Sequence, residues 1–177
     1  RGNAAKTRVN MSKDKQNNTN RMVALVMGII GLILTIIPVP QAFVHFKPNW
    51  ILLLLIFLSI NLPKQFNLGY AFVFGLIIDV IKGAFLGQHA LALTVIIFIT
   101  TKYHLQLRIF PKLQLMAIIM IFLVLYHFIL FWINGVAGIS TDIQDYWGPM
   151  ITSWIIWPIT YEIMSRYFVY ATPKKEV

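Results

Sequence analysis

Cysteine is absent from the chain, and acidic residues nearly so: six Asp and Glu stand against fifteen Lys and Arg. Without cysteine there are no disulfides, no thiolate nucleophile and no Cys-ligated metal. Charged residues of both signs make up 12% of the 177 positions, where soluble domains carry about 25%. So few charges cannot coat a water-facing globule. A glycine-rich phosphate loop, an HExxH zinc helix and a Ser-based triad signature are missing too. The four histidines, His45, His89, His104 and His127, show no metal-ligand spacing on one helix. A hydrogen-bonding role within a bundle is the expectation for each, with no metal and no other cofactor.

What is present is apolar. Hydrophobic residues reach 58%, and the mean hydropathy is +0.73. The net charge of +9 invites a nucleic-acid reading, which fails on distribution. The basic residues gather on no single amphipathic surface. They fall in short gaps between apolar runs, the pattern of membrane topology. The first 21 residues are polar and basic, with Arg1, Lys6, Arg8, Lys13, Lys15 and Arg21 against Asp14 alone. They read as a disordered cytoplasmic arm. Met11 is a candidate start, with residues 1–10 an upstream extension. The apolar run after Arg21 is long and lacks a small-x-small site, against a cleaved signal peptide.

A spanning helix needs roughly 20 apolar residues. Six segments qualify or nearly so, at about 22–44, 48–63, 66–83, 86–103, 113–135 and 146–170, with a short tail at 171–177. Pro38 and Pro40 bound the first. The second and third are short, so two full spans are the preferred reading and a re-entrant pair the alternative. With six spans and the N terminus inside, thirteen of the fifteen Lys and Arg fall on the inner side. Only Lys47 and Lys82 fall outside. Four spans would leave both ends on the same side, so the positive-inside assignment holds for either count. The fold class is therefore an all-α integral membrane bundle in a single domain, 22–170.

Asp79 is the residue to examine first, because an acid inside a membrane segment is costly and often functional. Ala71, Gly75, Asp79 and Gly83 recur at i, i+4, so the carboxylate lies in a stripe of small residues where a helix can approach closely. Lys82 follows at i+3. A structural ion pair with Lys82 is the leading reading; partner or substrate binding and a proton relay are the others. Glu162 and Arg166, at i, i+4, read as a local interfacial pair with the arginine snorkelling to headgroups. Ala24, Gly28 and Gly31 put small residues on the first segment. Trp50, Tyr103, Trp132, Tyr146, Trp147, Trp154, Trp157, Tyr161, Tyr167 and Tyr170 lie mostly near segment ends, as an interfacial belt does.

The central stretch has a recognisable pattern. KPNWILLLLIFLSINLP (Lys47 to Pro63) opens on Pro–Asn–Trp and closes on Pro. NLGYAFVFGLIIDVIKGAFLGQHALA (Asn67 to Ala92) holds Asn-x-Gly, Ala-Phe-x-x-Gly-x-x-x-Asp-x-x-x-Gly and Leu-Gly-x-x-Ala-Leu, and TKY (Thr101 to Tyr103) trails it. In this order the elements resemble the rod shape-determining MreD family. The last two segments match mainly in hydropathy and in Trp157–Pro158. The resemblance implies a six-helix fold similar to the substrate-binding subunits of energy-coupling-factor vitamin transporters, in the bacterial inner membrane. It implies a non-enzymatic role in cell shape and lateral peptidoglycan synthesis. The implied partners are the bitopic protein MreC, the actin-like MreB, the RodA glycosyltransferase and a class B penicillin-binding protein. Motif positions carried over are Pro48, Asn49, Trp50, Asn67, Gly69, Gly75, Asp79, Gly83, Leu86 and Gly87; Ala71 and Lys82 join them as packing or partner-docking candidates. The alternative is a small-molecule-binding transporter subunit, which needs a polar cavity built from groups such as Asn61, Asn67, Asp79, Gln88 and His89. An intramembrane enzyme lacks a nucleophile–base pair.

Overall fold

A computed structural model describes residues 2–63, 68–139 and 142–171. Among these residues every regular element is helical: α1 (Gly2–Ile36), a 3-10 helix (Gln41–Phe46), α2 (Trp50–Asn61), α3 (Leu68–Lys82), α4 (Gln88–Lys102), α5 (His104–Ile109), α6 (Lys112–Val136) and α7 (Gln144–Ala171). Lys64, Asn67 and the tail from residue 172 lie outside the described residues.

Most segment limits agree with the apolar runs, and two regions differ. Helix α1 reaches back to Gly2 through the basic residues read as disordered. No proline or glycine interrupts residues 3–27, so nothing breaks the helix there. At its other end α1 stops at Ile36 rather than near 44, because Pro38 and Pro40 cannot continue it. The chain turns instead through the 3-10 helix. Short α5 lies in a stretch that reads as a charged loop.

Helix α2 is the centre of the bundle. From Ile51 to Ile60 no residue is more than 5% exposed. Its sequence, WILLLLIFLSIN, is apolar on every face, and a helix apolar all round is a buried one. Around it α1, α3, α4, α6 and α7 touch in turn, α7 closing back on α1. Helix α2 packs on α1, α4 and α7 of that ring, and on α5 at one end. Small residues allow the close approaches. Gly28 of α1 receives the Phe74 ring of α3, and Gly31 receives Leu54 and Ile51 of α2.

The ring's outer faces are apolar. Val26, Ile29 and Ile33 on α1, Phe72 and Val80 on α3, Phe128 on α6 and Ile155 and Ile159 on α7 are all exposed. A surface this apolar suits lipid. Among the described residues, two helical stretches can cross a membrane by length and composition, Phe43–Asn61 and Lys112–Val136; Arg21–Ile36 and Gln88–Lys102 are apolar but shorter. Trp157 departs from the interfacial belt: it is 1% exposed and sits in the core. Its ring packs against Tyr161, which in turn meets Phe57 of α2 edge-on. Tyr103, Trp132 and Trp147 are exposed near helix ends; the side chains of Tyr167 and Tyr170 lie outside the described residues.

Twelve residues make α2 about 18 Å long, well short of a hydrocarbon core of about 30 Å. Its ends therefore need polar partners inside the protein. Arg108 of α5 donates to the Asn61 carbonyl at 2.6 Å. At the other end the Asn49 backbone N–H donates to Ser153 Oγ of α7 at 2.8 Å. The central position of α2 predicts a contrast. Leu55→Ala, in the core, should lower stability by about 2–5 kcal/mol, whereas Ile155→Ala, on the outer face, should change it by less than about 0.5 kcal/mol. Thermal unfolding in detergent reads both; equal losses would contradict a ringed α2.

Candidate functional site

The buried polar groups concentrate at the end of the bundle where α3 turns into α4. Helix α3 ends in a glycine-terminated cap: Gly83 has φ +60°, its N–H donates to Val80 O at 3.3 Å, and Ala84 N–H donates to Asp79 O at 2.9 Å. A left-handed residue there favours glycine. Helix α4 then starts at Gly87, whose φ of +101° again favours glycine. Gly87 has no side chain to cap the first turn. The free amides of α4 need an acceptor from elsewhere.

Asp79 supplies it. One carboxylate oxygen accepts from the Gly87 N–H at 2.8 Å and the Ala90 N–H at 3.4 Å. The other accepts from the His89 N–H at 2.9 Å and from His89 Nδ1 at 2.8 Å. The carboxylate is fully buried, yet four donors surround it, about as many as its lone pairs accept. It also lies at the positive end of the α4 dipole, where an anion is favoured. These terms offset a desolvation penalty of several kcal/mol.

Lys82 does not pair with this carboxylate. Its Nζ is 3.4 Å from His89 Nε2, and the residue is exposed. The expected Asp79–Lys82 ion pair is thus corrected: the ammonium meets the far nitrogen of His89, whose near nitrogen occupies the carboxylate. Among described residues, Ala71, Gly75 and Asp79 form a buried face of α3, while Gly83 lies past the helix end in open space. At Gly75 the backbone of Ala90 approaches so closely that a Cβ would collide with it. The small-residue stripe therefore faces this chain's own α4.

The Pro–Asn–Trp motif builds a second polar junction. His127 Nδ1 donates to its own helix at Leu123 O, 2.8 Å, which leaves Nε2 to accept from Asn49 Nδ2 at 3.0 Å. Ser153 accepts from the Asn49 backbone and donates to Pro149 O at 2.5 Å. Asn49 so joins α2, α6 and α7. The Tyr126 ring stacks edge-on to both His89 and His127 and connects the two junctions. Next to them, Lys47 donates to Thr35 O and, at 2.8 Å, to Ile37 O, capping α1. His45 pairs with Asp145 at 2.7 Å and ties the 3-10 helix to α7, which passes so close that Gly148 has no room for a Cβ beside His45 O.

These groups converge on one another and not on a ligand space. Four grooves among the described residues, of about 310 to 720 Å³, open at the surface. Asn61, Asp79, Gln88 and His89 line none of them. Trp50 and Pro48 line apolar grooves beside α1 and α7. Gly69 is exposed with open space around it, and Leu86 is 67% exposed; Asn67 lies outside the described residues. Among described residues no group of three or more His, Cys, Asp or Glu could hold a metal.

Known proteins decide the family. A model of the rod shape-determining protein MreD matches residues 16–167. The chain belongs to the MreD family. It is also similar to the rod shape-determining protein MreD of Haemophilus influenzae, 36% identical over 80 residues, which are 45% of this chain and 49% of the relative. The matched stretch thus spans about half the length of the curated relative. No solved structure matches, and no observation here carries the likeness to vitamin-transporter subunits. In this chain of the MreD family the buried acid Asp79 is a helix cap.

The cap makes a directional prediction. Asp79→Ala should destabilise the protein by about 3 kcal/mol, because it strands buried donors. Asp79→Asn should lose less, since the amide keeps one acceptor, and Lys82→Ala should have little effect. Melting in detergent reads all three; a Lys82→Ala loss equal to that of Asp79→Ala would restore the ion-pair reading.

Proposed function

We propose that this chain is a non-enzymatic scaffold of the cell-shape machinery. It crosses the inner membrane six times with both ends cytoplasmic, binds MreC, and links MreB to the RodA and class B penicillin-binding-protein synthase. The observation that carries this reading is the use of the buried polar groups. Asp79, His89, Asn49, His127 and Ser153 bond to helices of the same chain, and the outward faces are apolar. Such a molecule offers helix surfaces to partner helices, with its buried polar groups engaged by its own helices. The family match supports the role, and the partner set comes with the resemblance.

The positive-inside count supports the orientation. So does the clustering of basic residues at one end. Arg108 reaches the last carbonyl of α2, Lys112 and Arg166 flank one groove, and Thr19 and Met22 of α1 lie beside Ile163 and Met164 of α7. Lys47 and Lys82 lie at the opposite ends of their helices.

Docking candidates divide by direction. Gly69 is exposed and half-buried Trp50 lines two surface grooves, so both are candidates for direct contact. Ala71, Gly75 and Asp79 face inward and shape that surface through the α3–α4 hairpin. Affinity purification from native membranes should recover MreC and the elongation synthase. Gly75→Leu, which forces a side chain against the Ala90 backbone, should reduce MreC recovery at least roughly tenfold, as for the loss of a close-packed core contact. Gly69→Leu has room for its side chain, so the folded variant tests the outer face separately. Unchanged MreC recovery in both variants, or recovery of an ATPase module in place of MreC, would overturn the proposal.

A further inference from the structure

A groove between α6 and α7 combines an apolar floor with cations at its mouth. It encloses about 630 Å³, within the roughly 300–1,000 Å³ typical of small-ligand sites. Its floor is apolar: Trp157 is 1% exposed and Leu115 7%. Its wall continues onto the lipid-facing side of α7 through Ile159 and Ile163, which are 60% and 50% exposed. The Trp154 indole donates to Met116 O at 3.0 Å and ties the two helices together above it. At the mouth stand Lys112 and Arg166 with Glu162.

The two cations are incompletely matched. Lys112 has no side-chain partner among the described residues. Arg166 reaches Glu162 only at 3.3 Å, with side chains 75% and 49% exposed. An exposed pair of that length is weak, and a phosphate, which accepts bidentate bonds from a guanidinium, competes with it. Apolar walls opening onto lipid, with cations at the mouth, match an amphiphile with an anionic head.

We propose that this groove binds an anionic membrane phospholipid, its phosphate held by Lys112 and Arg166 and an acyl chain lying along Trp157, Ile159 and Ile163. The proposal needs the bundle to sit in a membrane and is independent of which partner it carries. Glu162 then tunes the site by competing for Arg166.

Native mass spectrometry tests it on the full-length chain, after exchange into micelles with equal amounts of phosphatidylglycerol and phosphatidylcholine of the same acyl chains. The wild type should retain phosphatidylglycerol preferentially. Lys112→Gln and Arg166→Gln should each cut that preference roughly fivefold. Lys102→Gln, a basic residue outside the groove, should leave it unchanged. Glu162→Gln should raise it, a gain that damage to packing would not produce. Equal retention of the two lipids by the wild type would overturn the proposal. So would an unchanged preference in the Lys112/Arg166 double variant, an equal loss in Lys102→Gln, or a loss in Glu162→Gln.

Discussion

The interaction on which the bundle depends is the reach of one carboxylate from one helix to the start of the next. Helix α4 begins at a glycine and has no cap of its own. In a membrane its first amides cannot turn to water, and each left unpaired costs several kcal/mol. Asp79 satisfies Gly87 and His89 and reaches Ala90. That bond fixes the register of α3 on α4, and the register brings Gly75 opposite Ala90. The two backbones then lie closer than any larger residue would allow. With hydrophobic driving force absent between helices in lipid, such contact and such hydrogen bonds are what holds them together.

The hairpin is one arc of the ring around α2. That helix is short and too apolar to show any face to water. It is kept in place by what surrounds it: Arg108 at one end, Asn49 with Ser153 and His127 at the other. Polar residues here close helix ends, and apolar residues divide between a packed inside and a lipid-facing outside. The one groove with unmatched charge, at the mouth between α6 and α7, stands outside this scheme.

Much of this was legible in the sequence, for reasons that also explain the rest. Apolar runs bounded by proline or charge overlap α2, α3, α4, α6 and α7, because proline and charge interrupt an apolar helix. The i, i+4 spacing correctly puts Ala71, Gly75 and Asp79 on one face. The direction of that face was legible, but the partners of Asp79 were not: three of its four donors are backbone amides eight to eleven residues on, and amides carry no sequence signature. A clue existed in Gly87, a helix start without a capping side chain. The central place of α2 could be suspected from WILLLLIFLSIN, which has no polar face, but equally suits a lipid-facing helix. Trp157 looks like an interfacial anchor by residue type, while its burial follows from the ring closing over it. Helix α5 is too short and too charged to stand out.

For this MreD-family chain the consequence is that the buried acid Asp79 is architectural. Residue-resolved hydrogen exchange in lipid nanodiscs tests that claim most directly. First-turn amides of a helix ordinarily exchange fast, having no partner within the helix. If Asp79 caps α4, the amides of Gly87 and His89 exchange as slowly as those in the middle of α2. Rapid exchange at Gly87 and His89, with α2 still protected, would show that the carboxylate does not hold the helix start and would contradict the account.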